Sequence, residues 1–238
     1  MYLDCEPPQR RLQIIVVRHG EPEKYAATDA RLSENGVSQI RDFKDEVVAR
    51  LQDETSRCLV QIFHSTRQRT HQSATIIYDG IAAEIKSGRL TNTLLADTRS
   101  CEALQTADPL NRLQEEGVTP DRLMHVWLTT PEEELASRGI LTPSQIAHNF
   151  RRLVGELVCC PIWPDGISKK IDILQTHETS TAAILGSWLG KPISEQRIEY
   201  AGHINIVAPY PGDDARDNPW FGIQGSGHKP DRKLFMPL

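Results

Sequence analysis

Arg18 and His19 close an apolar run, Ile14 to Val17, and Gly20 follows at once. Such a run reads as a short buried strand. A guanidinium and an imidazole are poor core material. At the end of a buried strand they make sense as a reactive centre on the carboxyl edge of a sheet, where open α/β folds hold their ligands. Two other stretches end alike. Cys58 to Phe63 leads through His64-Ser65-Thr66 into Arg69, and Ile171 to Thr176 ends at His177. If these strands are parallel, their ends face one rim, and two guanidiniums and two imidazoles converge from distant parts of the chain. Arginine forks suit phosphate oxygens. A helix N-terminal turn adds backbone N–H groups and a favourable dipole. The set therefore predicts an anion pocket. Taken singly, Arg69 reads better as a solvated helix residue and His177 as a satisfied core histidine. A zinc site of His19, His64, His71 and His177 is disfavoured: no H-x-x-x-H pair shares a strand end, and adjacent arginines repel a dication.

The elements that must position these residues alternate between strand and helix. Ser33 is the expected N-cap of a helix whose apolar face carries Val37, Ile40, Val47, Val48 and Leu51. A second helix follows the Ser65 to Ala74 stretch. A third strand is expected over Asn92 to Ala96, ending at Asp97. Asp97 to Glu116 has no clear period and reads as loop with short helical pieces. Short helices are expected at Asp121 to Leu128 and from Pro131. Thr142-Pro143-Ser144-Gln145 is a capping box with Pro at N1, opening a helix with Ile146, Phe150, Leu153, Val154, Leu157 and Val158 on one face. After His177, Thr179 or Ser180 is expected to cap a helix stopped by Gly190 and Pro192. Ile204 to Ala208 reads as the last strand. From Pro209 the Pro- and Gly-rich chain reads as a surface tail. The fold class is therefore α/β, with a mainly parallel central sheet and helices on both faces. A single domain over 1–238 is expected, with a cap at about 98–141 and a tail at 209–238.

A hydrophobic content of 39% and a charged content of 25% argue against a disordered or fibrous chain. The net charge of -5 comes without a long basic run, so no nucleic-acid partner is expected. No run approaches the ~20 apolar residues of a membrane span, and Met1 to Leu12 lacks the apolar region of a secretory signal. Cys5, Cys58, Cys101, Cys159 and Cys160 are odd in number and contain no C-x-x-C, which fits reduced thiols in the cytoplasm.

The motifs also carry a family resemblance. Arg18-His19-Gly20-Glu21 after its strand resembles the signature of the histidine phosphatase (phosphoglycerate mutase-like) superfamily. Leu32 to Gln39 resembles that family's L-[ST]-x-x-G-x-x-Q helix start. Ser65 to Ala74 resembles its S-x-x-x-R-x-x-Q-[ST]-A motif, and Thr176-His177-Glu178 its second-histidine motif. The matches are in the family's order across about Ile14 to Val207.

The resemblance implies a phosphatase acting on a small phosphomonoester. His19 would be the nucleophile that forms a phosphohistidine, with Arg18, Arg69 and His177 holding the phosphoryl oxygens. Glu21 and Ser65 would also contact substrate, and no metal or other cofactor would be required. Leu95-Ala96-Asp97 resembles the family's L-x-E acid pattern, which makes Asp97 the expected general acid, with Glu102 and Glu21 as rivals. Two departures matter. Pro22 stands where the family often has Thr, and the long insertion of phosphoglycerate mutases is not recognisable. The alternatives are a mutase-like phosphotransferase, a phosphoprotein phosphatase and a non-catalytic phosphate-binding module. Within the cap, Arg99, Arg112, His125 and Trp127 read as ordinary surface or core residues ahead of substrate contacts. Tyr210, Trp220 and Phe221 in the tail are candidates to cover the pocket, pack on the body or form a dimer contact. The oligomeric state is open, with a homodimer as one outcome.

Overall fold

The structure is a computed structural model that describes residues 11–24, 30–106, 108–159, 163–189, 200–209, 220–224 and 234–235. Its sheet has eight strands among the described residues: β1 (Arg11–Arg18), β2 (Cys58–His64), β3 (Thr93–Leu95), β4 (Arg99–Ser100), β5 (Lys169–Thr176), β6 (His203–Pro209), β7 (Trp220–Gln224) and β8 (Leu234–Phe235). The order is β3-β2-β5-β1-β6-β7-β8, with β4 paired to β2. The β2–β3, β2–β4, β2–β5 and β1–β5 pairs are parallel, and β6, β7 and β8 add antiparallel. The sheet is thus mixed and mostly parallel, as α/β patterning predicts.

The helices are α1 (Glu34–Gln52), α2 (Gln68–Lys86), α3 (Asp108–Glu115), α4 (Leu123–Thr129), α5 (Glu132–Ser137), α6 (Pro143–Cys159) and α7 (Glu178–Leu189). α1 and α2 bury Ile40, Phe43, Val47, Ile77 and Ile81 against Ile15, Val17, Val60 and Ile62. On the opposite face, Phe150 and Val154 of α6 and Ile184 of α7 pack on Ile14, Val16 and Leu174. β1 is therefore covered on both faces. This is why its sequence is a continuous apolar run and not an alternation.

Ser33 caps α1 by accepting from the Gly36 N–H. The α6 capping box is reciprocal: Gln145 N–H donates to Thr142 Oγ1, and Thr142 N–H donates to Gln145 Oε1. The α7 start differs from expectation. Helix begins at Glu178, so Thr179 and Ser180 lie inside it. Their hydroxyls bond Thr106 rather than cap. Gly190 and Pro192 lie outside the described residues. Between β3 and α3 a 3-10 turn (Glu102–Leu104) forms, and the two-residue β4 was not expected. Leu113, Trp127, Leu135 and Ile146 make a third cluster that reaches Ala182 and Ala183 of α7. Ile204 to Ala208 is not the last strand either, since β7 and β8 extend the sheet beyond it. Tyr210 lies outside the described residues.

Candidate active site

The parallel strands bring the predicted groups to one rim. His19 follows β1, and its N–H donates to Thr176 O at the end of β5. The turn after it is tight. A Cβ on Gly20 would lie 2.3 Å from Gly36 O, and one on Gly36 would lie 2.1 Å from Glu21 O. Two glycines thus let the loop beyond His19 rest against the first turn of α1. The imidazole Nδ1–H donates to Gly20 O at 2.6 Å, which leaves Nε2 with its lone pair.

Arg69 lies in the first turn of α2, where it is 8% exposed. Its Nε–H donates to His19 Nε2 at 3.0 Å, and its Nη2 lies 3.5 Å from His177 Nδ1. The two rings meet edge to face, with centroids 5.2 Å apart. Burial pushes the pKa of His19 well below the ordinary histidine value, and the cations of Arg69 and Arg18 push the same way. Burial does the same for His177, followed by Arg69 and then by His19, Arg67 and Arg18. Both imidazoles are neutral near pH 7.

Arg18 points into the same space. Its Nη2 donates to Glu178 Oε2 at 2.8 Å, and its guanidinium carbon lies 3.9 Å from the centre of the Tyr200 ring. Arg18, His19, Arg69, His177, Glu178, Thr179, Tyr200 and Pro22 line a pocket roofed by Leu110 and Asn111 of α3. Its empty volume is about 420 Å3, part of it open to solvent.

Other expected site residues are placed elsewhere. Ser65 is fully buried, and its hydroxyl bonds Thr70, His177 and the Arg67 N–H. It supports the site from beneath and does not line it. The Glu21 carboxylate accepts from Asn35 and Ser33 at the start of α1. Asp97 is exposed and accepts from Tyr78 OH at 3.5 Å. Tyr78 lies about nine residues beyond Arg69 on α2, or ~13 Å along the helix. β3 pairs with β2 only as far as Val60, four residues short of His64, so Asp97 lies short of the rim too. Glu102 is exposed in the 3-10 turn and is not among the pocket residues. Of the cap residues, Arg99, Arg112 and His125 are exposed, and Trp127 is core with its Nε1–H on Leu141 O.

Glu178 is the carboxyl that does line the pocket. The expected cap at Thr179 or Ser180 leaves Glu178 ahead of the helix, so nothing local singles out its carboxyl as a pocket group. Tyr200, Leu110 and Asn111 carry no local signal. Among the described residues no group of three or more His, Cys, Asp or Glu side chains could hold a metal ion. Cys58 is buried, and its thiol is pushed up to about 12 by desolvation, as suits a packing residue. No described helix is long and apolar enough to cross a membrane.

Fold and site together define an α/β protein with a pocket lined by arginine and imidazole side chains. Residues 14–89 match the family model described as the histidine phosphatase superfamily (branch 1), which bears out the resemblance over the segment that holds Arg18, His19 and Arg69. No curated protein matches the sequence. Among solved structures, the mycobacterial glucosyl-3-phosphoglycerate phosphatase is similar at 20% identity and a TM-score of 0.51, covering 83% of this chain and 89% of that one. Phosphoserine phosphatase from Entamoeba histolytica, in complex with 3-phosphoglyceric acid, is similar at 14% identity and 0.51, covering 82% and 90%. Phosphoglycerate mutase from Bacillus anthracis str. Sterne is similar at 12% identity and 0.50, covering 92% and 93%. These likenesses are of fold: the chain has the α/β architecture of phosphoglycerate mutase-like proteins.

Proposed function

We propose that the protein is a phosphatase that hydrolyses a small phosphomonoester through a phosphohistidine on His19, without a metal. The observation that carries this reading is the state of His19. It is neutral, its Nδ1–H is tied to Gly20 O, and its Nε2 lone pair faces the pocket beside Arg69. A nucleophile needs that lone pair, and the phosphoryl oxygens need the adjacent cations. The roof of Leu110 and Asn111 supports a small substrate over a folded phosphoprotein.

In this reading Arg69 and Arg18 turn their N–H donors to the phosphoryl oxygens as substrate enters. Nε2 attacks phosphorus, the P–O bond to the leaving group breaks, and the electron pair leaves on that oxygen. Glu178 is the carboxyl within the pocket and supplies the proton. Water then attacks phosphorus, the P–N bond breaks with its pair returning to Nε2, and Glu178 takes the water's proton. Glu178 thus takes the role that the sequence assigned to Asp97.

We read the chain as one cytoplasmic domain, with the 98–141 segment as the cap and 209–238 as the C-terminal segment. The test is hydrolysis of an aryl phosphate with EDTA present. Wild type is expected to turn over and His19→Ala to be inactive. Equal activity in both proteins would overturn the assignment, and loss of wild-type activity to EDTA would overturn metal independence.

A further inference from the structure

The hydrogen bonds beneath His177 determine where its proton sits. The Thr70 hydroxyl has two carbonyl acceptors, Arg67 O at 2.8 Å and Ser65 O at 3.1 Å. With its one proton committed there, Thr70 Oγ1 accepts in its 2.8 Å contact with Ser65 Oγ. Ser65 therefore spends its own proton on Thr70, and Ser65 Oγ must accept from His177 Nε2 at 2.8 Å. The Arg67 N–H donates to the same oxygen at 3.3 Å. The far side of the ring agrees. A guanidinium only donates, and Arg69 Nη2 faces His177 Nδ1. His177 is thus the Nε2–H tautomer, with its lone pair turned towards Arg69 and the pocket. His19 is the opposite tautomer, and Arg69 faces the lone pairs of both.

A lone pair is the wrong group to present to a phosphoryl oxygen. The groups facing His177 are Arg67 and Arg69 at the start of α2, and His19 and Arg18 at the end of β1, with Glu178 next to it in the chain. While the pocket is empty, burial and these cations keep the ring neutral. A bound dianion offsets the cations and gives an added proton an acceptor.

We propose that Ser65 and Thr70 are positioning residues that hold the proton of His177 on Nε2, so that the site binds its phosphoryl ligand with uptake of a proton from solvent onto Nδ1. The uptake rests on the reading of this pocket as a phosphate site. The tautomer does not.

The first measurement is the 15N spectrum of the imidazole rings in the free protein, with His177 assigned by a His177→Asn variant. Wild type is expected to show a protonated Nε2 and an unprotonated Nδ1. Thr70→Val removes the acceptor of the Ser65 proton, so Ser65 turns to donate to His177 Nε2 and the ring moves to Nδ1–H. Thr70→Ser restores the wild-type tautomer. The second measurement is calorimetric titration with inorganic phosphate at about pH 8, in buffers of different ionisation heat. Wild type and Thr70→Ser are expected to take up about one proton per phosphate bound, and Thr70→Val close to none. An Nδ1–H tautomer in wild type would overturn the hydrogen-bond assignment. Phosphate binding without proton uptake would overturn the linkage. No phosphate binding at all would overturn the reading of the pocket, while the ring spectrum still decides the roles of Ser65 and Thr70.

Discussion

The Nε–H of Arg69 points at Nε2 of His19 from 3.0 Å, so one guanidinium caps the lone pair that the proposed chemistry needs. This contact holds the ring in place and its cation helps to keep the ring neutral. Arg69→Lys keeps the charge but loses the fork. It is expected to lower kcat/KM on an aryl phosphate by about 100- to 1,000-fold. Arg69→Ala also removes a cation that lowers the His19 pKa, so its acid limb should move to higher pH. An unmoved limb would show that burial and Arg18 set the ionisation of His19 without Arg69.

Glu178 gives a second prediction, through substrate choice. An alkoxide needs a proton from the enzyme, and an aryl oxide scarcely does. Glu178→Gln keeps a hydrogen-bond acceptor for Arg18 but cannot supply the proton. Turnover of an alkyl phosphate should fall by about 100-fold or more, and that of an aryl phosphate should change little. Equal losses on both would mark Glu178 as a partner of Arg18 only. Asp97→Asn, at an exposed position beside Tyr78, should leave both rates near wild type.

The close approach of Gly20 and Gly36 predicts a loss of stability with an effect at the site. A methyl on Gly36 meets the backbone oxygen of Glu21, which cannot move without shifting the loop beyond His19. Gly36→Ala should cost about 1–3 kcal/mol in urea unfolding and should lower kcat. A variant with unchanged stability would show that the loop yields freely.

Stability should also fall with acid. His203 is held at about 4 by burial, against 6.5 in the unfolded chain, and His19, His64 and His177 are shifted the same way. Below about pH 6.5 the unfolded chain takes up protons that the folded rings refuse, so stability is lost as pH falls from there towards 4. Asp172 opposes this: burial raises it from 3.8 to about 6, so its folded form takes a proton sooner as pH falls through that window. Four imidazoles against one carboxyl predict a net drop in Tm between about pH 7 and 5. His203→Gln should show a smaller drop than wild type. An equal drop would assign the effect to the other three rings.

The sequence alone determined the elements and the main chemical groups. Largely apolar runs ending in Arg18-His19, His64-Ser65 and Thr176-His177 marked β1, β2 and β5, because a strand covered on both faces is mostly apolar, although β5 also buries Lys170, Asp172 and Gln175. Ser33 and the Thr142 box marked helix starts, because capping is a matter of local geometry within a few residues. The tertiary structure decided which acid enters the pocket, because that depends on how far each strand runs towards the rim. β3 stops after Leu95, so Asp97 meets Tyr78, whereas α7 begins at the rim and Glu178 meets Arg18. It also decided that Ser65 supports His177 rather than lining the pocket, since a hydroxyl takes its role from partners such as Thr70 and His177. The strands beyond Ala208 escaped a sequence rich in Pro and Gly, because pairing at a sheet edge follows from the neighbouring strand more than from local propensity. Tyr200 and the α3 roof were invisible for the same reason: they join the site only when residues far apart in the chain fold together.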